Sequence, residues 1–512
     1  MKILLIGIYD ANTVSLAPQI LAGRAKESPV AADHDIQTCE FSIFSDSVES
    51  ITACIQDQQP DVVGFSCYIW NYSLIKKITP HLDCTILLGG PQVTGIEKQI
   101  LQSNPEVDII VTGEGEQTFL ELLEYFSGKK SLQEIPGITT KDLQNPQHKP
   151  ADLNAIPPLF AGIFEQYPDI TWVSFETSRG CPMGCGYCTW GYNREMRYFP
   201  LDYVLSELEI ILRNPQIREI YLCDSSLLLN KRRAMTILDH IIHSGSDKTI
   251  RYEFSPEQLD DEIIERMLQL PASEFNFGIQ TINPPALASI GRPFDRKRFE
   301  GNFQKFIQAF PAAQITVDLI YGLPDDDIEG YLNSLDYVMT LPSVTRILTN
   351  PLIVLPGSRF FRDREKYGII LAEDDSFLLR ENSTFTQARM LDARRYSFYV
   401  NLLFLNSALK NALLKFAEET QTRPVERMID FFGTLSFTLV QGDYPYTIPS
   451  VKEDFEHRNR VFGTVLNRFP DIIDAFQAYS HHRYDFMLRS YPQFFTGQYH
   501  KYIKYAAATG EK

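Results

Sequence analysis

"SRGCPMGCGYC", Ser178 to Cys188, places Cys181, Cys185 and Cys188 four and then three residues apart in a glycine-rich loop. Thiolates on so short a loop can converge on three irons of a 4Fe-4S cluster. The fourth iron then lacks a protein ligand and stays open to a substrate or cofactor. Zinc is the rival metal, but a structural zinc site takes four ligands, and no histidine or further cysteine lies near enough in sequence to complete one. Three unrelated core thiols are the plain alternative.

The other five of the eight cysteines, Cys39, Cys54, Cys67, Cys84 and Cys223, are scattered and read as small buried hydrophobes rather than a disulfide framework. At 512 residues, 44% hydrophobic and 22% charged, the chain has an ordinary globular composition. Its length calls for about three domains. No apolar run approaches the roughly 20 residues that span a bilayer. "MKILLIGIYD" lacks a small-residue cleavage site and reads as a first buried strand, so a cytoplasmic protein with no membrane partner is expected. A net charge of -17 argues against nucleic acid as a partner.

Downstream of the cysteines a strand and helix alternation continues. "TWVSFETS", "IREIYLCDSS", "IRYEFSP", "EFNFGIQT", "QITVDLIYGLP" and "RILTNPLIVLPG" read as six strands, each followed by a helical stretch. This predicts a partial (β/α)6 TIM-like barrel over residues 166–380, with its chemistry in the loops at the carboxyl ends of the strands. The cysteine motif lies in the first of those loops. Upstream, residues 1–130 alternate "KILLIGIY", "DVVGFSCYIW", "TILLGGPQ" and "VDIIVTGEGEQTF" with helical stretches. That pattern predicts a doubly wound, flavodoxin-like parallel sheet whose carboxyl-end turns, at Ser66, Gly89, Gly90, Gly113 and Gly115, could approach a ligand. Residues 131–165 are proline-studded and read as a linker, and residues 381–512 as an α-helical C-terminal domain. Phe398, Tyr399, Phe404, Phe431 and Phe432 there read as core. Asp325 to Asp327 read as a solvated loop or helix start rather than a metal site, and His481 and His482 as too isolated for metal.

The three-cysteine motif, with Tyr187 before its last member, resembles the signature of the radical S-adenosylmethionine (SAM) superfamily. The resemblance implies an open iron that binds SAM and a reductive cleavage giving a 5'-deoxyadenosyl radical. Asp224, Ser225 and Ser226 stand where the superfamily contacts the methionine amino group, although the usual Gly-Gly-Glu is absent. "FGIQT" and "DLIYGLPDD" are similar to strand motifs of the coproporphyrinogen-dehydrogenase-like branch, which implies SAM contacts at Gln280 and Gly322, with Glu253 at the third strand end. "VLPGS" resembles the adenine-side turn, at Leu355 and Pro356. For each of these, strand-end packing is the competing reading.

The first sheet, placed before the cysteine loop, resembles the cobalamin-binding domain of cobalamin-dependent radical SAM enzymes. By that resemblance Ser66, Gly89, Gly90, Gly113, Glu114 and Gly115 border cobalamin, and Cys67, Tyr68 and Trp70 of "CYIWN" lie under the corrin. No Asp-x-His-x-x-Gly is present, and His34 lacks that setting, so no histidine is expected on cobalt. The implied activity is C-methylation at an unactivated carbon of a small metabolite or peptide, through the deoxyadenosyl radical and methylcobalamin. An electron donor such as flavodoxin or ferredoxin is implied as well. Radical ring contraction, cyclisation or oxidation without methyl transfer is the alternative chemistry, and a non-catalytic cobalamin-binding or sensory protein the alternative class. Tyr321 is a candidate hydrogen donor, with core packing as its competing reading.

Overall fold

The computed structural model describes residues 1–9, 12–190, 194–270, 274–404 and 407–434. The first sheet orders its parallel strands β2-β1-β3-β4-β5, where β1 is Lys2–Tyr9, β2 Asp35–Ser42, β3 Val62–Ser66, β4 Thr85–Gly89 and β5 Ile109–Val111. β1 is buried along nearly its whole length because helices cover both faces. Leu4, Ile6 and Ile8 enter one hydrophobic cluster while Ile3 and Leu5 enter the other.

The stretch read as a linker is partly structured. β6, Ile138–Thr139, adds to the sheet edge antiparallel to β5. The helix Phe160–Gln166 joins the core of the following unit, and the buried Glu207 carboxylate accepts from the Leu159 and Phe160 N–H groups at 2.7 and 3.0 Å. A two-residue strand and a seven-residue helix are too short to display a hydrophobic period.

The second unit contains β7 (Trp172–Phe175), the two-residue ladder of β8 (Ser178–Arg179) with β9 (Arg197–Tyr198), β10 (Glu219–Leu222), β11 (Thr249–Tyr252), β12 (Glu274–Gln280), β13 (Gln314–Tyr321) and β14 (Val344–Pro351). Six of these strands run parallel in the order β7-β10-β11 and β12-β13-β14, and a parallel bridge from Glu253 to Asn276 joins the two halves into a partial barrel. Here alternation returns. Ile315, Val317, Leu319 and Tyr321 are buried, while Thr316, Asp318 and Ile320, on the concave side, are half-buried.

Beyond a small hairpin of β15 (Ile370–Leu371) and β16 (Leu379–Glu381), the helices Gln387–Phe404, Ser407–Glu419 and Pro424–Thr434 pack onto the barrel. Tyr399, Leu403, Met428, Phe431 and Phe432 share its hydrophobic core. The remainder of the expected helical domain, with His481 and His482, lies outside the described residues. Among the described residues, no helix is long and apolar enough to cross a membrane.

Candidate functional site

The carboxyl edge of the first sheet meets the mouth of the barrel. Asn71, almost fully buried, shapes that edge: its Nδ2 donates to the carbonyls of Ile8 (3.0 Å) and Ser66 (2.9 Å), and its Oδ1 accepts from Tyr68 N–H at 2.8 Å. The ends of β1 and β3 and the turn after β3 are thereby held together. Gly90, at φ 111°, closes against this turn, where a methyl group would lie 2.5 Å from the Cys67 carbonyl oxygen. The turn presents Tyr68 stacked on Trp70 with centroids 4.4 Å apart; Trp70 meets Tyr9 at 5.4 Å, and Tyr9 meets Trp172 of β7 edge-on at 5.7 Å. Burial, reinforced by the Glu176 carboxylate, pushes the Tyr68 phenol up to about 12. The Trp70 indole N–H is buried without a partner, a donor suited to an amide carbonyl on a corrin rim.

The remaining cobalamin candidates divide differently. Cys67 belongs to the hydrophobic cluster behind the edge, its thiol 3.7 Å from the Phe65 carbonyl. The Glu114 carboxylate forms ion pairs with Arg179 and Arg197 of the barrel unit and accepts from Ala151 N–H. Gly113 is covered by the Gln147 side chain, and Gly115 packs near Leu21. Ser66, Tyr68, Trp70, Gly89 and Gly90 are therefore the ones gathered at the seam.

The cysteine loop springs from the β8–β9 ladder. Gly186 anchors it: its N–H donates to the Ile290 carbonyl (2.8 Å) and its carbonyl accepts from Phe360 N–H (2.9 Å). A methyl group on Gly186 would meet the Phe360 ring at 2.6 Å. Cys185 is buried, Cys181 and Cys188 are half-buried, and none of the three forms a disulfide. Burial pushes the Cys185 thiol up, while the charge of Arg292, itself bonded to the Gly278 carbonyl at 2.6 Å, favours the thiolate. Tyr187 lies beside Arg292 and Cys185, and its phenol is also raised by burial. Among the described residues, no three Cys, His, Asp or Glu side chains are drawn together as a formed metal site. The loop thus brings three soft donors within one short segment without converging them, and that donor set fits an iron–sulfur cluster.

Asp224 faces the start of the same loop, where its carboxylate accepts from both the N–H and the hydroxyl of Thr177 and of Ser178, at 2.6 to 2.9 Å. Ser225 donates to the Gly180 carbonyl and Ser226 to Gln258 Oε1, each at 2.8 Å. Asp224 and Ser225 thus tie the end of β10 to the strand feeding the cysteines, and Ser226 ties it to the turn after β11. The concave face offers more open groups. Asn276 Nδ2 bonds Asp318 Oδ2 at 2.8 Å, leaving Asn276 Oδ1 and Asp318 Oδ1 buried without partners. Glu253 stands nearby, its carboxyl raised by burial and by the Asp318 charge. Gln280 ends β12 at φ 68°, where the register slips against β13. Such a backbone in a non-glycine residue costs of order 1–3 kcal/mol and clusters at functional sites.

Four further candidates lie in packed surroundings. Tyr321 lies against Tyr331 at 5.5 Å, on the helix side of β13. The Gly322 carbonyl accepts from Asn382 at 2.9 Å beneath Met390. The Leu355–Pro356 turn runs into Gly357, whose N lies beside Gly95 of the first unit. Sequence reasoning missed Asn71, Arg179, Arg197, Asn276, Arg292 and Asp318. The signal available was polar residues at alternate positions, Glu274, Asn276 and Gln280 of "EFNFGIQ" and Gln314, Thr316 and Asp318 of "QITVDLIY", together with the charges in "SFETSR".

A family model for the radical SAM superfamily matches residues 175–338, and one for the B12 binding domain matches residues 30–123. The chain is 26% identical over 385 residues to the 2-(S-pantetheinyl)-carbapenam-3-carboxylate methyltransferase of Streptantibioticus cattleyicolor, covering 70% of this chain and 56% of that one. It is 22% identical over 400 residues to the cobalamin-dependent radical SAM methyltransferase TokK of Streptomyces tokunonensis, covering 72% and 58%. It therefore spans little more than half the length of either relative. Among solved structures, the cobalamin-dependent S-adenosylmethionine radical enzyme OxsB with aqua-cobalamin bound shares the fold, with TM-score 0.64, 13% identity and coverage of 93% of this chain and 79% of that one. A cobalamin-binding sheet set against a radical SAM barrel defines the class, and the chain belongs to the cobalamin-dependent radical SAM family. The cofactors of that family are a 4Fe-4S cluster, SAM and cobalamin.

Proposed function

We propose that this protein is a C-methyltransferase acting at an unactivated carbon of a small metabolite or peptide, in the cytoplasm, with electrons from a flavodoxin or ferredoxin. The observation that carries the reading is the seam, where Tyr9 and Trp172 bring the cobalamin edge to ring contact with the first barrel strand, whose following loop bears Cys181, Cys185 and Cys188. When bound, the cluster with SAM supplies hydrogen-atom abstraction, and cobalamin supplies a transferable methyl group. The three cysteines are the ligands available to the cluster, with the Arg292 charge favouring the Cys185 thiolate. Glu253, Asn276, Asp318 and Gln280 present the polar atoms that orient SAM on the concave face. Tyr68, Trp70 and Trp172 exclude water from the seam.

Anaerobic reconstitution with iron, sulfide and cobalamin tests the cofactor half. The wild type is expected to hold about four irons and one cobalamin, and the Cys181→Ala, Cys185→Ala, Cys188→Ala variant to lose the iron and keep the cobalamin. Turnover with methyl-labelled SAM tests the reaction. Label in the product supports methyl transfer, and label absent from every product rejects it in favour of a radical rearrangement or oxidation.

A further inference from the structure

The neck of the cysteine loop is a ladder of two residue pairs, Ser178 with Tyr198 and Arg179 with Arg197. Two arginines directly opposite one another on antiparallel strands repel. Both are largely buried, with side chains only 13% and 16% exposed, so water screens that repulsion poorly. Asp224 and Ser225 fasten the β8 side of the ladder through Thr177, Ser178 and Gly180, and the arginine pair is left to be compensated.

Most of the compensating charge comes from the other domain. Glu114, in the turn after β5, pairs through Oε2 with Arg179 Nη1 at 3.3 Å and through Oε1 with Arg197 Nη2. Its Oε2 also accepts from Ala151 N–H at 2.9 Å, and the Ala151 carbonyl accepts from Arg197 Nη1 at 2.8 Å. Glu116 and Glu176 complete the surroundings of Arg179, at 2.6 and 2.9 Å. Among the described residues, Glu114 is the carboxylate that reaches both arginines.

The geometry points to Glu114 as a positioning residue for the cysteine loop: the cobalamin-binding domain supplies the charge that holds the neck of that loop shut. This rests on reading residues 178–188 as the cluster loop, and it reassigns Glu114 from the corrin to the domain seam. The neck is predicted to loosen when that charge is removed and to tighten again when one of the opposed arginines is removed with it.

The test uses the full chain, purified anaerobically without added cofactors and pulsed with iodoacetamide, with alkylation read at each cysteine by mass spectrometry. Glu114→Gln is expected to raise the rate at Cys181 and Cys188 roughly fivefold, the scale of a like-charge cross-strand penalty, while Cys39 and Cys84 change by less than about twofold. Adding Arg197→Gln to Glu114→Gln is expected to recover most of the difference, because the repulsion goes with it. Unchanged loop rates, equal rises at Cys39 and Cys84, or a double variant as fast as the single one would each overturn the proposal. A cobalamin titration of Glu114→Gln is the further arm. Retained affinity is expected, and lost affinity with unchanged thiol rates would return Glu114 to the corrin. Absence of iron uptake by the wild type would reject the cluster reading separately, since the alkylation assay needs no cluster.

Discussion

Asn71 ties three backbone groups with one side chain. Asn71→Ala strands the buried carbonyls of Ile8 and Ser66, at a cost of about 2 kcal/mol. Because those carbonyls belong to the cobalamin edge, cobalamin affinity is expected to fall while iron uptake persists; parallel optical titration and iron analysis separate the two. Glu40 behaves differently. Burial pushes its carboxyl up to about 7 despite hydrogen bonds from Ser15 N–H and Gln19. A carboxyl raised in the folded state contributes stability in acid and loses it as pH rises from its ordinary value near 4.5 through about 7. Urea unfolding of the wild type should therefore lose about 2 kcal/mol between pH 5 and pH 8 relative to Glu40→Gln, in which that dependence is absent. Neither residue was legible in the sequence. A lone Asn after an aromatic run and a lone Glu in a strand acquire their roles only from the carbonyls and hydroxyls that other segments bring to them.

Among the elements, the long strands were the readable part. "KILLIGIY" is apolar from Ile3 to Ile8 because both of its faces are covered, and "QITVDLIY" alternates because one face is concave. The short elements were not: β6, β8 and β9 have two residues each, below any period. Yet β8 and β9 form the neck of the cysteine loop. The end of β12 carries a further prediction. Gln280→Gly relieves a left-handed backbone and should raise stability by about 1 kcal/mol. If the strain serves to aim this residue at SAM, the same substitution weakens SAM binding several-fold by equilibrium dialysis, and unchanged SAM affinity would make Gln280 a packing residue.

For the whole molecule the seam is the working unit. Of three tryptophans, Trp70 and Trp172 lie in its aromatic group and Trp190 is exposed. Cobalamin is expected to quench the fluorescence of Trp190→Phe, corrected for absorbance, as strongly as that of the wild type, and to quench Trp70→Phe and Trp172→Phe less. Equal quenching in all three would place the corrin elsewhere. The sequence by itself determined the two sheets, their order in the chain and the three-cysteine loop, because period and ligand spacing are local properties. The tertiary structure decided which candidates share a space. It joined Tyr68 and Trp70 through Tyr9 to Trp172 of the barrel, set Tyr321 against Tyr331 and Cys67 in the core of the first unit, paired Asn276 with Asp318, and gave Glu114 to the two arginines at the loop neck. Those outcomes depend on how strands distant in sequence align and on which charges burial leaves to be paired, and neither is written in any one segment.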